Sequence, residues 1–229
     1  MLSIILPAYN EEKNIELTLN DISDFIKKLQ IPFEIIVVND GSKDHTTEIL
    51  NICAKKFENL NIVTHPKNLG YGTALRSGFA KAEGDLIFFT DSDHQFDIQD
   101  IVSFLEKIKE YDFVVGYRKN RQDPYFRILY ASIFRLLTHF LFGVKVHDVN
   151  CAFKLFRKEV IKGLPLISSG ALINLEIFTL AKKKGYKFIE LPVKHFPRQS
   201  GRQTGGNIKV LLKAVFNVFF LWLRIQKIK

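Results

Sequence analysis

The sequence predicts an α/β fold: a mostly parallel sheet flanked by helices, with amphipathic helices at the C-terminus. Three observations carry this. The apolar runs "LSIILPAY", "FEIIVVND", "NIVTH" and "DLIFFTD" alternate with helical segments through the first half. These runs are apolar on both faces, so both faces need covering, as in a parallel sheet. The second half turns aromatic and basic and ends in an apolar stretch at helical spacing.

Each element has its own reason. "LSIILPAY" is a short β run that gives way to polar residues after Pro7. Residues 11–29 carry Ile15, Leu19, Ile22, Phe25, Ile26 and Leu29 at helical spacing. "FEIIVVND" is rich in β-branched residues, which suit a strand. Residues 44–57 form a second helix, "NIVTH" a third strand, residues 73–83 a third helix and "DLIFFTD" a fourth strand. Asp97 and Asp100 read as acids capping the helix that follows. "DFVVGYR" is a further strand. Residues 125–143 place Arg127, Arg135 and His139 on an apolar, aromatic segment. That segment suits a membrane-interface helix or a core helix with basic edges equally well. "DVNCAFKLFRKEVI" gives a strand or two leading into a helix, and residues 171–184 are helical. "KFIELPVKHF" is edge-like, because Pro192 cannot donate to a ladder. "PRQSGRQTGGN" is a loop by composition. The tail is a helix whose unbroken apolar stretch, Val218 to Leu223, falls short of the ~20 residues that span a bilayer. The expected division is one domain over 1–205 and an amphipathic helix over 206–229, suited to a membrane interface.

Composition bounds the function. The chain has 229 residues, 47% hydrophobic, enough for a sizeable core. Cys53 and Cys151 lack metal-site or disulfide-framework spacing and suit a reducing compartment. The N-terminus lacks the basic start and long apolar run of a signal peptide. Charge is lopsided. Residues 1–100 hold 9 Lys and Arg against 16 Asp and Glu, and residues 101–229 hold 24 against 8. A basic half facing nucleic acid, an anionic membrane or a phosphate-bearing substrate is implied. Nucleic acid is disfavoured, because the basic charge lies among Phe- and Leu-rich helices while the first half offers an acidic crevice.

Three strands end in polar clusters: Pro7 to Glu11, Asn39 to Ser42, and Asp91-Ser92-Asp93. Ligands of open α/β sheets bind beyond the carboxyl ends of the strands, so the clusters should converge on one crevice. Asp91 and Asp93 alternate in extended chain and can project to one side, with Gln95 offering a neutral oxygen. Between the clusters, "KNLGYGTALRSGF" carries Gly70, Gly72 and Gly78, which permit close backbone approach. It lacks the Lys-Ser/Thr ending of a P-loop and the third glycine of a dinucleotide fingerprint.

"LPAYNEE", "VVNDGSKD", "NLGYGTALRSGF" and "TDSDHQFD", in this order at strand ends, resemble the GT-A domain of family 2 glycosyltransferases. Within that family the chain is similar to dolichyl- and polyprenyl-phosphate mannose synthases, whose Asp-x-Asp-x-Gln pattern "DSDHQ" matches. "GYR", "DVNCAFKLFRKEV", "LEIFTLAKKKGY" and "LPVKHFPR" extend the similarity over nearly the whole chain. The resemblance implies an inverting, metal-dependent transfer of a hexose, of mannose or glucose type, from a GDP- or UDP-linked sugar to a polyprenyl or dolichyl phosphate. It implies a protein peripheral on the cytoplasmic face of a membrane. It places Pro7, Tyr9, Glu11 and Asp40 around the nucleotide, with Lys67, Gly70, Asp91, Ser92 and Asp93 in the same pocket, though Lys67 reads equally as a solvated lysine. Asp91, Asp93 and Gln95 would hold Mg²⁺ or Mn²⁺, since hard cations take oxygen ligands. Asp91, Asp93 and Arg118 would be catalytic, and Arg118, Arg127 and Arg198 would bind the acceptor phosphate through bidentate hydrogen bonds.

Two alternatives stand beside this. The same fold acting on a saccharide hydroxyl in cell-envelope polysaccharide synthesis would need a base, with Asp148 or Glu176 the candidates. Gln199 and Arg202 faintly echo the Gln-x-x-Arg-Trp motif of processive synthases, with Gln203 in place of the Trp. The third reading is a non-enzymatic basic protein binding a membrane surface or nucleic acid.

Overall fold

The computed structural model describes residues 1–119, 136, 138–197 and 208–228. Strand β1 (Leu2–Ala8), helix α1 (Ile15–Lys28), β2 (Phe33–Asn39), α2 (Thr46–Lys56), β3 (Leu60–Thr64), α3 (Tyr71–Lys81) and β4 (Leu86–Thr90) form the first half. A 3₁₀ turn (Ile98–Asp100) leads into α4 (Ile101–Lys107) and β5 (Phe113–Arg118). Then follow β6 (Phe153–Arg157), α5 (Lys158–Lys162), α6 (Ile173–Lys183), β7 (Phe188–Val193) and α7 (Ile208–Lys227). Residues 138–142 are also helical.

The seven strands run in the order β3-β2-β1-β4-β6-β5-β7. All neighbours are parallel except β6, which runs antiparallel to both β4 and β5. The predicted mostly parallel sheet is therefore present, with one reversed strand inside it. Pro192 pairs opposite Tyr117 in β7, an edge strand, where a missing N–H is tolerated.

Alternation along each strand builds two cores. Ile4, Leu6, Ile35, Val37, Phe88 and Phe153 face one side, where they pack with Ile15, Leu19, Ile22 and Ile26 of α1. Ile5, Ile36, Val38, Phe89, Phe113 and Phe156 face the other, packed with Leu75 and Phe79 of α3 and Phe178 of α6. This is why the strands read as continuous apolar runs. Helix α7 contributes Val218, Leu221 and Ile225 to the second core and leaves Phe219, Phe220 and Leu223 exposed. Helix α3 begins two residues before its predicted start, because Ser169 of a distant loop supplies acceptors to its first amides.

Candidate active site

The register sets the geometry. Ala8 of β1 lies level with Asn39 of β2, so both strands end together, and β4 ends on the other side of β1. The loops beyond β1 and β2 are laced to each other. Asn10, at φ 57°, donates its N–H to Ser42 Oγ at 3.0 Å and accepts Lys43 N–H at 2.8 Å. Ser92, after β4, donates its hydroxyl to the Pro7 carbonyl at 2.8 Å. Three chain segments are thereby fixed around one cavity of about 900 Å³. Pro7, Tyr9, Glu11, Asp40, Asp91, Ser92 and Asp93 all line it.

The expected convergence of strand ends is thus present, but the residues differ in how they are engaged. Asp40 is buried, and its carboxylate holds the glycine-rich segment. Oδ1 accepts Leu69 N–H at 2.9 Å and meets His65 Nδ1 at 2.7 Å, and Oδ2 accepts Gly70 N–H at 2.8 Å. Glu11 is also buried and accepts the Asn14 side-chain amide at 2.7 Å. Lys67 is exposed and, like Gly70, does not line the cavity. Gln95 does not line it either: its amide donates to the Phe196 carbonyl at 2.8 Å, which ties this segment to the end of β7. Asp97 caps the 3₁₀ turn by accepting Gln99 N–H at 3.0 Å, as expected. Asp100 makes no cap; it accepts Lys194 N–H at 2.7 Å. Arg127 and Arg198 lie outside the described residues.

Electrostatics concentrate at Asp91. Burial, and then the Asp93 carboxylate, push its pKa up to about 7, with Arg118 pulling the other way. The phenol of Tyr71 is pushed well above its ordinary value by burial and then by Asp91. Its oxygen makes no full hydrogen bond among the described residues. Two close carboxylates and the Tyr71 phenol bring oxygen donors together at one end of the sheet, a donor set that fits Mg²⁺ or Mn²⁺. No group of three or more His, Cys, Asp or Glu residues suited to a metal exists among the described residues. One or two carboxylates completed by phosphate oxygens and water is the usual arrangement for such a cation.

Nothing in "NLGYG" marks Tyr71 as a site residue. Lys154 is fully buried on β6, donating to the Cys151 carbonyl and, at 2.9 Å, to Asn174 Oδ1. Its ammonium lies 5.2 Å from the Phe89 ring centre and 5.6 Å from that of Phe178. Burial lowers its pKa to about 8. Nothing in "FKLFR" separates this lysine from a solvent-facing one.

The two candidate bases are otherwise engaged. Asp148 is bound by Arg118 in a two-pronged pair, and Glu176 is fully buried on α6, away from the cavity. A second cavity of about 500 Å³, lined by Leu136, His139, Lys145, Val146, His147 and Glu190, lies beside β7.

The profile of glycosyl transferase family 2 matches residues 3–164. A dolichyl-phosphate beta-glucosyltransferase of Trichomonas vaginalis is 31% identical over 210 residues, covering 84% of this chain and 64% of the relative. An undecaprenyl-phosphate 4-deoxy-4-formamido-L-arabinose transferase of Aeromonas hydrophila is 29% identical, covering 90% and 63%. The dolichyl-phosphate beta-glucosyltransferase of Saccharomyces cerevisiae is 30% identical, covering 84% and 66%. The chain thus spans just under two thirds of these relatives. Glucosyl-3-phosphoglycerate synthase from Mycobacterium tuberculosis, solved with Mn²⁺, UDP and phosphoglyceric acid, superposes with a TM-score of 0.72 at 19% identity, covering 97% of this chain and 78% of that one. The same enzyme with Mg²⁺ and UDP gives 0.72 at 19%, covering 96% and 79%. At that identity the likeness is one of fold, and the fold is GT-A.

Proposed function

We propose that this chain, which belongs to glycosyl transferase family 2, moves a hexose from a nucleotide-diphosphate sugar to a polyprenyl or dolichyl phosphate, with inversion. The names of the dolichyl-phosphate relatives favour glucose over mannose as the sugar and a lipid phosphate as the acceptor. The observation that carries the lipid-phosphate reading is the state of the two candidate bases. A sugar hydroxyl needs a base to deprotonate it. A phosphate, with a second pKa of about 6, is already ionised near neutral pH. Asp148 is clamped by Arg118 and Glu176 lies buried outside the cavity, so neither suits proton abstraction at the reacting centre.

On this reading Pro7, Tyr9 and Glu11 hold the nucleotide, and Asp40 acts by shaping the pocket wall through Leu69 and Gly70. Asp91 and Asp93 hold Mg²⁺ or Mn²⁺ with the diphosphate. The cation, when bound, supplies Lewis-acid stabilisation of the departing diphosphate. Tyr71 offers that cluster a hydroxyl. Arg118 orients the acceptor phosphate, and Arg127 and Arg198 are proposed to share the task. Phe219, Phe220 and Leu223 are exposed on α7 and suited to resting on a membrane, and Leu136 and Phe140 are exposed as well. No helix among the described residues is long and apolar enough to cross one. On the same reading the protein sits peripherally on the cytoplasmic face of a membrane.

Thermal unfolding with UDP or GDP, each with and without Mn²⁺, tests the donor site. A ligand at 100 times its Kd adds about 2.7 kcal/mol to stability. The expected result is a rise in Tm that needs both nucleotide and cation. No rise with either nucleotide contradicts the reading.

A further inference from the structure

The loop between α5 and α6 joins the C-terminal helix to the donor cavity. Glu176 on α6 is fully buried, and its carboxylate accepts Ile167 N–H at 3.1 and 3.2 Å and Ser168 N–H at 2.8 Å. Arg224 of α7 reaches the same carboxylate with Nη1 at 2.6 Å and donates Nη2 to the Pro165 carbonyl at 2.9 Å. One guanidinium therefore grips both the acid and the loop that the acid holds.

The far side of that loop meets α3. The Ser169 carbonyl accepts Gly72 N–H at 2.7 Å and Thr73 N–H at 3.3 Å. These amides lie in the first turn of the helix, where no carbonyl of the helix itself can serve them. The approach is close. A Cβ on Gly70 would stand 2.5 Å from Ser169 O, and one on Gly72 2.3 Å from Ser168 O. The two glycines therefore admit the loop; a phosphate-binding role is not needed to explain them. Arg76 adds a contact from Nη1 to the Leu166 carbonyl at 3.4 Å. Tyr71, between the glycines, stands beside Asp91, and Gly70 N–H is bound by Asp40.

Nine successive residues of α6, Ile173 to Ala181, are buried, and Glu176 is the one ionisable residue among them. A buried ion pair stabilises a fold no better than apolar side chains of the same volume, while loss of one partner is severe. Its value here lies in geometry. We propose that Arg224 and Glu176 are positioning residues of the donor cavity: from the C-terminal helix, through the 165–170 loop, they set the start of α3 and with it Tyr71. What the cavity binds rests on the donor reading above; the relay itself does not.

The test uses the full chain with Arg224→Met, Arg224→Lys, and the double variant Glu176→Gln with Arg224→Met, which leaves no buried charge unpaired. Amide exchange is followed at Gly72 and Thr73 and at Ile167 and Ser168, and UDP and GDP are titrated in the presence of Mn²⁺. Arg224→Met should raise exchange at Gly72 and Thr73 and weaken nucleotide affinity about tenfold, a typical coupling between sites. In turnover, KM for the donor should rise while KM for the acceptor holds. Arg224→Lys should restore part of the effect, since an ammonium reaches the carboxylate but cannot reproduce the fork. Should Arg224→Met fail to fold, the double variant gives the same readings. Faster exchange confined to Ile167 and Ser168, with Gly72, Thr73 and nucleotide affinity unchanged, overturns the relay. If the wild-type chain binds neither nucleotide, the donor reading falls, and exchange at Gly72 and Thr73 still decides this one.

Discussion

Arg118, at the end of β5, grips Asp148 through two parallel hydrogen bonds, Nε to Oδ2 at 2.6 Å and Nη2 to Oδ1 at 3.1 Å. Both side chains are largely buried, and the matched fork fixes the two relative to each other. This makes Asp148 an aligner of Arg118. Asp148→Asn should therefore keep measurable turnover, with a raised KM for the acceptor, whereas loss of a true general base costs 10²–10⁴-fold. A dead Asp148→Asn variant with normal acceptor affinity would return Asp148 to the role of base.

Asp91 and Asp93 should each be indispensable. Asp91→Asn or Asp93→Asn is expected to lower turnover by two to three decades, on the order of one electrostatic stabiliser at a reacting centre. Tm of the metal-free protein should not fall in Asp91→Asn, because the ionised carboxylate is disfavoured by burial and by Asp93. Full activity in EDTA would remove the cation from the account.

Lys154 should make stability rise with pH over a narrow window. Its folded pKa is lowered from 10.5 to about 8, so the unfolded chain holds more protons above pH 8 and stability rises with pH there. Cys151 opposes this from pH 9 upward, because burial raises its thiol from 9.0 to about 12. The rise is thus confined to pH 8–9. Urea unfolding of wild type and Lys154→Met at pH 7, 8 and 9 checks it. The variant should lack the rise, and parallel curves would show that Lys154 is not the group responsible.

Sequence alone showed the sheet because β1, β2 and β4 are buried on both faces, and a polar cluster after each marks the open end. It did not show that β6 is reversed, since "FKLFR" is as apolar in either direction and its placement is decided by neighbours distant in the chain. The glycines at 70 and 72 were visible as sites of close approach, but not what approaches: Ser168 and Ser169 lie nearly a hundred residues away. Tyr71 was hidden for the same reason. Glu176 reads as a candidate base and Lys154 as an ordinary charge in a strand, and only tertiary burial reveals both as internal ties. The tail reads as an amphipathic helix, and α7 is one: Val218, Leu221 and Ile225 are buried, while Phe219, Phe220 and Leu223 are exposed.

That division makes α7 testable. Deleting residues 214–229 removes Val218, Leu221 and Ile225 from the core, each worth roughly 1.5–3 kcal/mol, and should destabilise the fold as a whole. Phe219→Ser, Phe220→Ser and Leu223→Ser combined should leave Tm nearly unchanged and reduce co-sedimentation with anionic vesicles. Binding that survives this triple change would place the membrane contact elsewhere.

The most direct measurement offers the protein a labelled UDP- or GDP-hexose and Mn²⁺, with undecaprenyl phosphate and a free saccharide present side by side. The expected result is label in the lipid fraction, lost on adding EDTA, and a rate that falls below about pH 6 as the acceptor phosphate takes up its second proton. Label in the saccharide alone, with Asp148→Asn inactive, would contradict it.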